Sequence, residues 1–160
     1  MGIAQHELIV RVRYSDIDKM GTYYNSRALE WFEQGRSELL RALGKPYREM
    51  ESLGVMLPVA EAHLEFLGRA EYDDQLKVVS VASMPGKARL RVDVAIEHAE
   101  TGRPVCRGYT VHAVTNLSGK PIRPPEWLTS IVPLSETRND RPAHESAARC
   151  VSSGPAAGPV

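Results

Sequence analysis

The chain has 160 residues, 20 basic and 20 acidic side chains and 42% hydrophobic residues, the size and makeup of one domain with a real core. The balanced charge leaves no net field to draw nucleic acid or an anionic membrane surface, so neither is expected as a partner. The opening MGIAQHELIV lacks a basic n-region and a sustained apolar stretch, and nothing approaches membrane-spanning length; a cytoplasmic protein without a signal peptide is expected.

Leu8 to Tyr14 alternates, with Leu8, Val10, Val12 and Tyr14 on one side and Arg11 and Arg13 on the other, which predicts a half-buried strand. The polar stretch YSDIDKMGTYYN comes next, followed by NSRALEWFEQGRSELLRALG. In that run Asn25 or Ser26 is the expected N-cap of a helix over 26–43, and Gly44 with Pro46 the stop. Ala28, Trp31, Phe32, Gly35, Leu39, Ala42 and Leu43 fall together at helical spacing, flanked by Leu29 and Leu40. This arc is wider than the stripe of an ordinary surface helix, so the helix should be largely wrapped. Gly35 lies within the arc, where glycine costs about 1 kcal/mol relative to alanine. A close approach by a neighbouring element is the expected reason.

PYREMESLG reads as a short helical turn, and VMLPVAEAHLEFLG as an extended segment whose Pro58 marks an edge or a bulge. QLKVVSVASM is a strand with both faces partly apolar. RLRVDVAIEH alternates, Leu90, Val92, Val94 and Ile96 facing inward. AETGRP is a hairpin turn with Gly102 at its tip, and VCRGYTVHAVT is the last strand, closed by NLSGKP. Cys106, in this apolar run, reads as a small buried hydrophobe, and with Cys150 it shows no metal or redox spacing. From Glu136 the composition shifts to Ala, Pro, Ser, Arg and Gly, predicting a domain over 1–135 and a disordered tail over 136–160. The expected architecture is α+β: a curved antiparallel sheet of about five strands around one long helix, with an edge strand open to a second copy.

Asp16 and Asp18 are the paired carboxylates beside the start of that helix. A helix start presents free N–H groups and the positive end of the macrodipole, suited to an oxyanion. A carboxylate just upstream can act as a base on water or attack directly, or one acid can simply cap the loop. Elsewhere, His63 and His112 lie on strands without partners at ligand spacing, so no metal is expected. Lys87 to Arg91 reads as a solvated strand face. Glu33 is expected to bridge Arg36 and stands as the reserve catalytic acid.

The segment RVRYSDIDKMGTYYNSRALEWFEQGR resembles the opening of the 4-hydroxybenzoyl-CoA thioesterase-like (YbgC-type) hotdog enzymes. Tyr14, Asp16, Asp18, Gly21, Trp31, Phe32, Glu33 and Arg36 carry the likeness, together with Tyr72, Asp73 and Asp74 in AEYDDQLKV. It extends over roughly residues 7 to 130. The resemblance implies a hotdog fold and hydrolysis of an acyl- or aroyl-CoA thioester, with Asp18 as nucleophile or general base. The backbone amide of Asn25 would polarise the carbonyl, and no metal or cofactor would be needed. Gly21, Tyr23 and Tyr24 would adjoin the substrate, although packing at a dimer interface is an equal reading for the two tyrosines. Lys87 and Arg89 would meet the coenzyme A phosphates. A homodimer or homotetramer with sites between protomers is implied. Many members carry histidine where Asn25 stands, and asparagine then tyrosine where Arg27 and Ala28 stand, which leaves the acyl group open. An acyl carrier protein in place of coenzyme A, or a non-catalytic acyl-CoA-binding module, are the alternatives.

Overall fold

The computed structural model describes residues 3–135, so the tail expected over 136–160 lies outside the described residues. The elements in chain order are β1 (Ala4–Arg11), a 3-10 turn (Tyr14–Asp16), α1 (Asn25–Ala42) and α2 (Tyr47–Ser52). Then follow β2 (Val59–Phe66), β3 (Gln75–Pro85), β4 (Arg89–His98), β5 (Pro104–Ala113), α3 (Glu126–Ile131) and β6 (Leu134–Ser135). The sheet runs β1-β3-β4-β5-β2 with antiparallel neighbours, and the two-residue β6 adds a short parallel contact at the end of β3. The expected α+β sheet of about five strands is therefore present with a sixth, minimal one.

Alternation places β4 as expected, with Leu90, Val92, Val94 and Ile96 at most 2% exposed. These side chains face α1, whose Ala28, Trp31, Phe32, Gly35, Leu39 and Leu40 are buried. The helix lies mainly over β1 and β3. Gly35 has the reason the sequence called for. A Cβ there would sit 2.5 Å from Ser80 Oγ and 2.9 Å from Val78 Cγ1 on β3. Gly35→Val should therefore destabilise the chain: overpacking costs about 1–3 kcal/mol, more than the propensity gained by leaving glycine. Denaturant titration with an unchanged or raised midpoint would contradict this packing account.

Two expectations change at the edges of this core. The first strand is set earlier than Leu8 to Tyr14, and Tyr14 is 82% exposed rather than inward. The cause is Asp16, whose Oδ2 accepts the Arg13 N–H at 2.7 Å and turns the chain out of the sheet. The arc of α1 is also only partly covered, since Leu29 is 44% exposed. At the far edge of the sheet, β2 is exposed along most of its length. No helix among the described residues is long and apolar enough to cross a membrane.

Candidate active site

The stretch between β1 and α1 folds as a narrow hairpin. Ile17 bridges Tyr23, the Asp18 N–H donates to Thr22 O at 2.9 Å, and the Tyr24 N–H donates to Asp16 O at 2.8 Å. Its tip is a turn in which the Gly21 N–H donates to Asp18 O at 3.1 Å, with Gly21 at φ +75°, a conformation that disfavours any other residue. Residues 69–70 dock the hairpin: the Tyr23 N–H donates to Ala70 O at 3.0 Å, and Arg69 donates to Met20 O at 2.7 Å.

Within this frame the two acids have opposite environments. Asp16 is fully buried, and Arg13 holds it through Nε, Nη2 and the backbone N–H at 2.7–3.2 Å, with Arg27 Nε at 3.6 Å from Oδ1. Burial alone would raise its pKa, but the Arg13 hydrogen bonds and the charges of Arg13 and Arg27 outweigh it and lower the value. Both its oxygens are committed to the protein. Asp18 is half-buried; its Oδ1 accepts the Met20 N–H at 2.7 Å, and its other oxygen accepts no hydrogen bond among the described residues. One atom fixes the side chain and the other is open to a reactant.

Neither Asn25 nor Ser26 caps α1. The N-cap is Tyr24, no side chain accepts a hydrogen bond there, and the first turn carries no acid. The N–H groups of Asn25 and Ser26 accordingly have no acceptor among the described residues. A buried site acid, a half-free acid and an unblocked helix start thus share one short loop. The helix start can receive a developing negative charge, and Asp18 can offer a carboxylate oxygen.

The remaining candidates divide. Tyr24 is 56% exposed beside the loop. Tyr23 is only 4% exposed and belongs to the protomer core, its ring against Trp31 and Phe66 and its hydroxyl donating to Val105 O at 3.3 Å. Burial, and secondarily the nearby Cys106, push its pKa up. Lys87 and Arg89 stand at the β3–β4 turn, whereas Asp18 lies at the opposite end of the sheet, where Leu76 pairs with His98. The eleven residues of β3 separate them by about 30 Å at strand rise. One protomer does not bring them together. Lys87 instead lines a cleft of about 900 Å³ with Arg123, Ile122 and Pro124. Arg123 was missed in the sequence because it lies in an aperiodic, proline-flanked stretch.

Glu33 does not bridge Arg36 as expected. Arg36 turns inward instead, its Nη1 3.2 Å from His112 Nε2. Cys106 is buried, and its thiol is pushed up to about 12, first by burial and then by Glu65, which fits an inert core residue. No group of three His, Cys, Asp or Glu side chains among the described residues is placed to hold a metal.

A curved antiparallel sheet over one long helix, with an acid-bearing loop at the helix start, defines the hotdog class. The sequence pattern of the Thioesterase-like superfamily matches residues 12–132, and the chain belongs to that family. It is 33% identical to a putative esterase of Synechocystis over 119 residues, covering 73% of this chain and 71% of that protein. A putative acyl-CoA thioesterase of Bacillus subtilis is 35% identical over 65 residues, 41% of this chain; the chain spans about half (47%) of that relative's length. Among solved structures, a probable thioesterase from Bartonella henselae superimposes with a TM-score of 0.70 at 31% identity, covering 76% of this chain and 99% of that one.

Proposed function

We propose that this protein hydrolyses a thioester of coenzyme A, releasing a free acid and the thiol. The observation that carries this reading is the contrast between the two acids: Asp16 is consumed by the fold, and Asp18 keeps an oxygen free in the hairpin that leads into an unblocked helix start. The ligand carbonyl oxygen would lie against the amide of Asn25, which stabilises the oxyanion as it forms. Asp18 then acts in one of two ways. As nucleophile, its oxygen bonds to the carbonyl carbon, the C–S bond breaks to give the thiolate, and water cleaves the resulting anhydride. As base, it takes a proton from water while the water oxygen bonds to carbon and the thiolate leaves. A thiolate is a good leaving group near neutral pH, so neither route asks for a metal or cofactor.

Coenzyme A requires cations for its phosphates, and a homodimer supplies them. Phe66, near Tyr23, is at the Asp18 end of β2; Val59 is at the other, paired through His112 to Leu90 beside Arg89. Antiparallel pairing of β2 with a second β2 would set one copy's Asp18 end against its partner's Lys87 end. Lys87, Arg89 and Arg123 would then serve the opposite protomer's site. The relatives include 1,4-dihydroxy-2-naphthoyl-CoA hydrolases, 27% identical, and a chloroplastic acyl-acyl carrier protein thioesterase of Arabidopsis, 24% identical, so a carrier-protein thioester is the second substrate class to assay. The test is a panel of aliphatic and aromatic acyl-CoA thioesters assayed with a thiol reagent. Turnover of at least one class is expected; binding without hydrolysis across the panel would replace the enzyme with an acyl-CoA-binding module.

A further inference from the structure

One flank of α1 is left uncovered by the sheet. Helical spacing puts Leu29, Glu33 and Arg36 in one stripe, and the contact of Arg36 with His112 shows that this stripe faces β5 and, beyond it, the exposed β2. Arg36 is unusual on three counts. It is half-buried, its Nε is shielded from solvent without an acceptor, and no carboxylate lies within 4 Å among the described residues. Its nearest partner is a neutral ring. His112 Nδ1 is 3.0 Å from Leu57 O and so carries the hydrogen, leaving Nε2 to accept from Arg36 and from Thr110 Oγ1 at 2.8 Å. Burial pulls the Arg36 pKa down, opposed by the charges of Glu33 and Tyr47 at longer range. A guanidinium in such a place is stable only when an anion completes it.

Glu33 is the complementary half. It is exposed and makes no hydrogen bond or ion pair among the described residues, because Arg36 has turned away from it. We infer that the missing anion comes from a second copy of this chain: Glu33 of each protomer pairs with the partner's Arg36. A two-fold contact must be self-complementary, and an acid and a base three residues apart on one helix meet that demand when two α1 helices cross antiparallel. Leu29, 44% exposed, gives the stripe its apolar end. β2 is the next strand beyond β5, the strand this flank meets through Arg36 and His112. This inference rests on the homodimer proposed above and is independent of the thioester chemistry.

The test is sedimentation of the full chain at micromolar concentration, where a dimer is expected and a monomer alone would overturn the pair. Glu33→Arg sets like charges against each other and should weaken dimerisation by at least about 10-fold, with a reduced salt dependence. Adding Arg36→Glu should restore it. Should the double variant not fold, a second experiment decides: Glu33→Cys and Arg36→Cys chains, each also carrying Cys150→Ser, are mixed and treated with a short bis-maleimide. Cross-linked heterodimers are expected, and their absence overturns the pair. So does undiminished association of Glu33→Arg. If benzoate stabilises Glu33→Arg and the parent equally while association is unchanged, Arg36 receives a ligand carboxylate and the inference falls. None of these readouts scores hydrolysis, so failure of the enzymatic reading leaves them intact.

Discussion

Asp18→Asn should lower thioester turnover by roughly 10²–10⁴-fold, the usual contribution of a positioned acid–base group. The amide keeps the size of the side chain and can still accept the Met20 N–H, so the hairpin survives while the reactive charge is gone. KM should change little, because the basic groups proposed to hold the phosphates are other residues, supplied by the partner protomer. Asp16→Asn is the control with the opposite signature. It removes charge from a fully buried acceptor of Arg13 and Arg27, and hydrogen bonds to charged groups contribute about 1.5–3 kcal/mol each way they are lost. A lowered denaturation midpoint is expected there. If folded Asp18→Asn keeps near-full activity, the mechanism is wrong and Glu33 is next to test. Single turnover in H₂¹⁸O that leaves the product unlabelled and labels Asp18 establishes attack by Asp18 with water opening the anhydride at the aspartyl carbon. A labelled product fits base catalysis and opening at the acyl carbon alike, and trapping of the anhydride with hydroxylamine then separates those two.

A fall in stability between pH 6.5 and about 4 is the second large effect. His112 is fully buried, and its pKa is lowered to about 4, first by burial and then by the Arg36 charge, against the bond to Leu57 O. In the unfolded chain the imidazole returns to its ordinary 6.5. Between these values the unfolded state binds the extra proton, so stability is complete above the upper value and is lost as pH falls toward the lower one. The separation corresponds to roughly 3 kcal/mol. Asp16 acts in a different window: its lowered pKa contributes stability that is lost only below the ordinary carboxylate range. Urea titrations from pH 7 to pH 4 should show the loss, and His112→Gln should flatten it. A parent protein equally stable at both ends would refute the buried neutral imidazole.

The fold was legible where burial is one-sided and repeated. β4 carries four inward residues in strict alternation, and α1 has a broad apolar arc with one glycine where β3 comes close. The breaks in that legibility have physical causes. Tyr14 continues the period of β1 but leaves the sheet because a side chain two residues on captures the Arg13 backbone, and a periodic pattern carries no trace of that. β6 is too short to have a period, and α3 follows prolines that read as loop. In the site, the sequence marked the loop but not the division of labour between its acids, which depends on Arg27 reaching back from the first turn of α1. Arg36 was assigned to Glu33 by helical spacing; its inward turn comes from His112, distant in the chain and adjacent in space.

The bare start of α1 sets stability against activity. A Ser, Thr or Asp side chain at the Tyr24 position would close that helix end and contribute about 1 kcal/mol, the ordinary gain of a cap. It would do so by placing an acceptor on the Ser26 or Arg27 N–H, directly beside the Asn25 amide proposed to receive the carbonyl oxygen. A thermostability campaign guided by folding energy alone would therefore rank this position among its easiest improvements, and under the proposed mechanism each improvement would set a competing acceptor oxygen beside the reacting carbonyl.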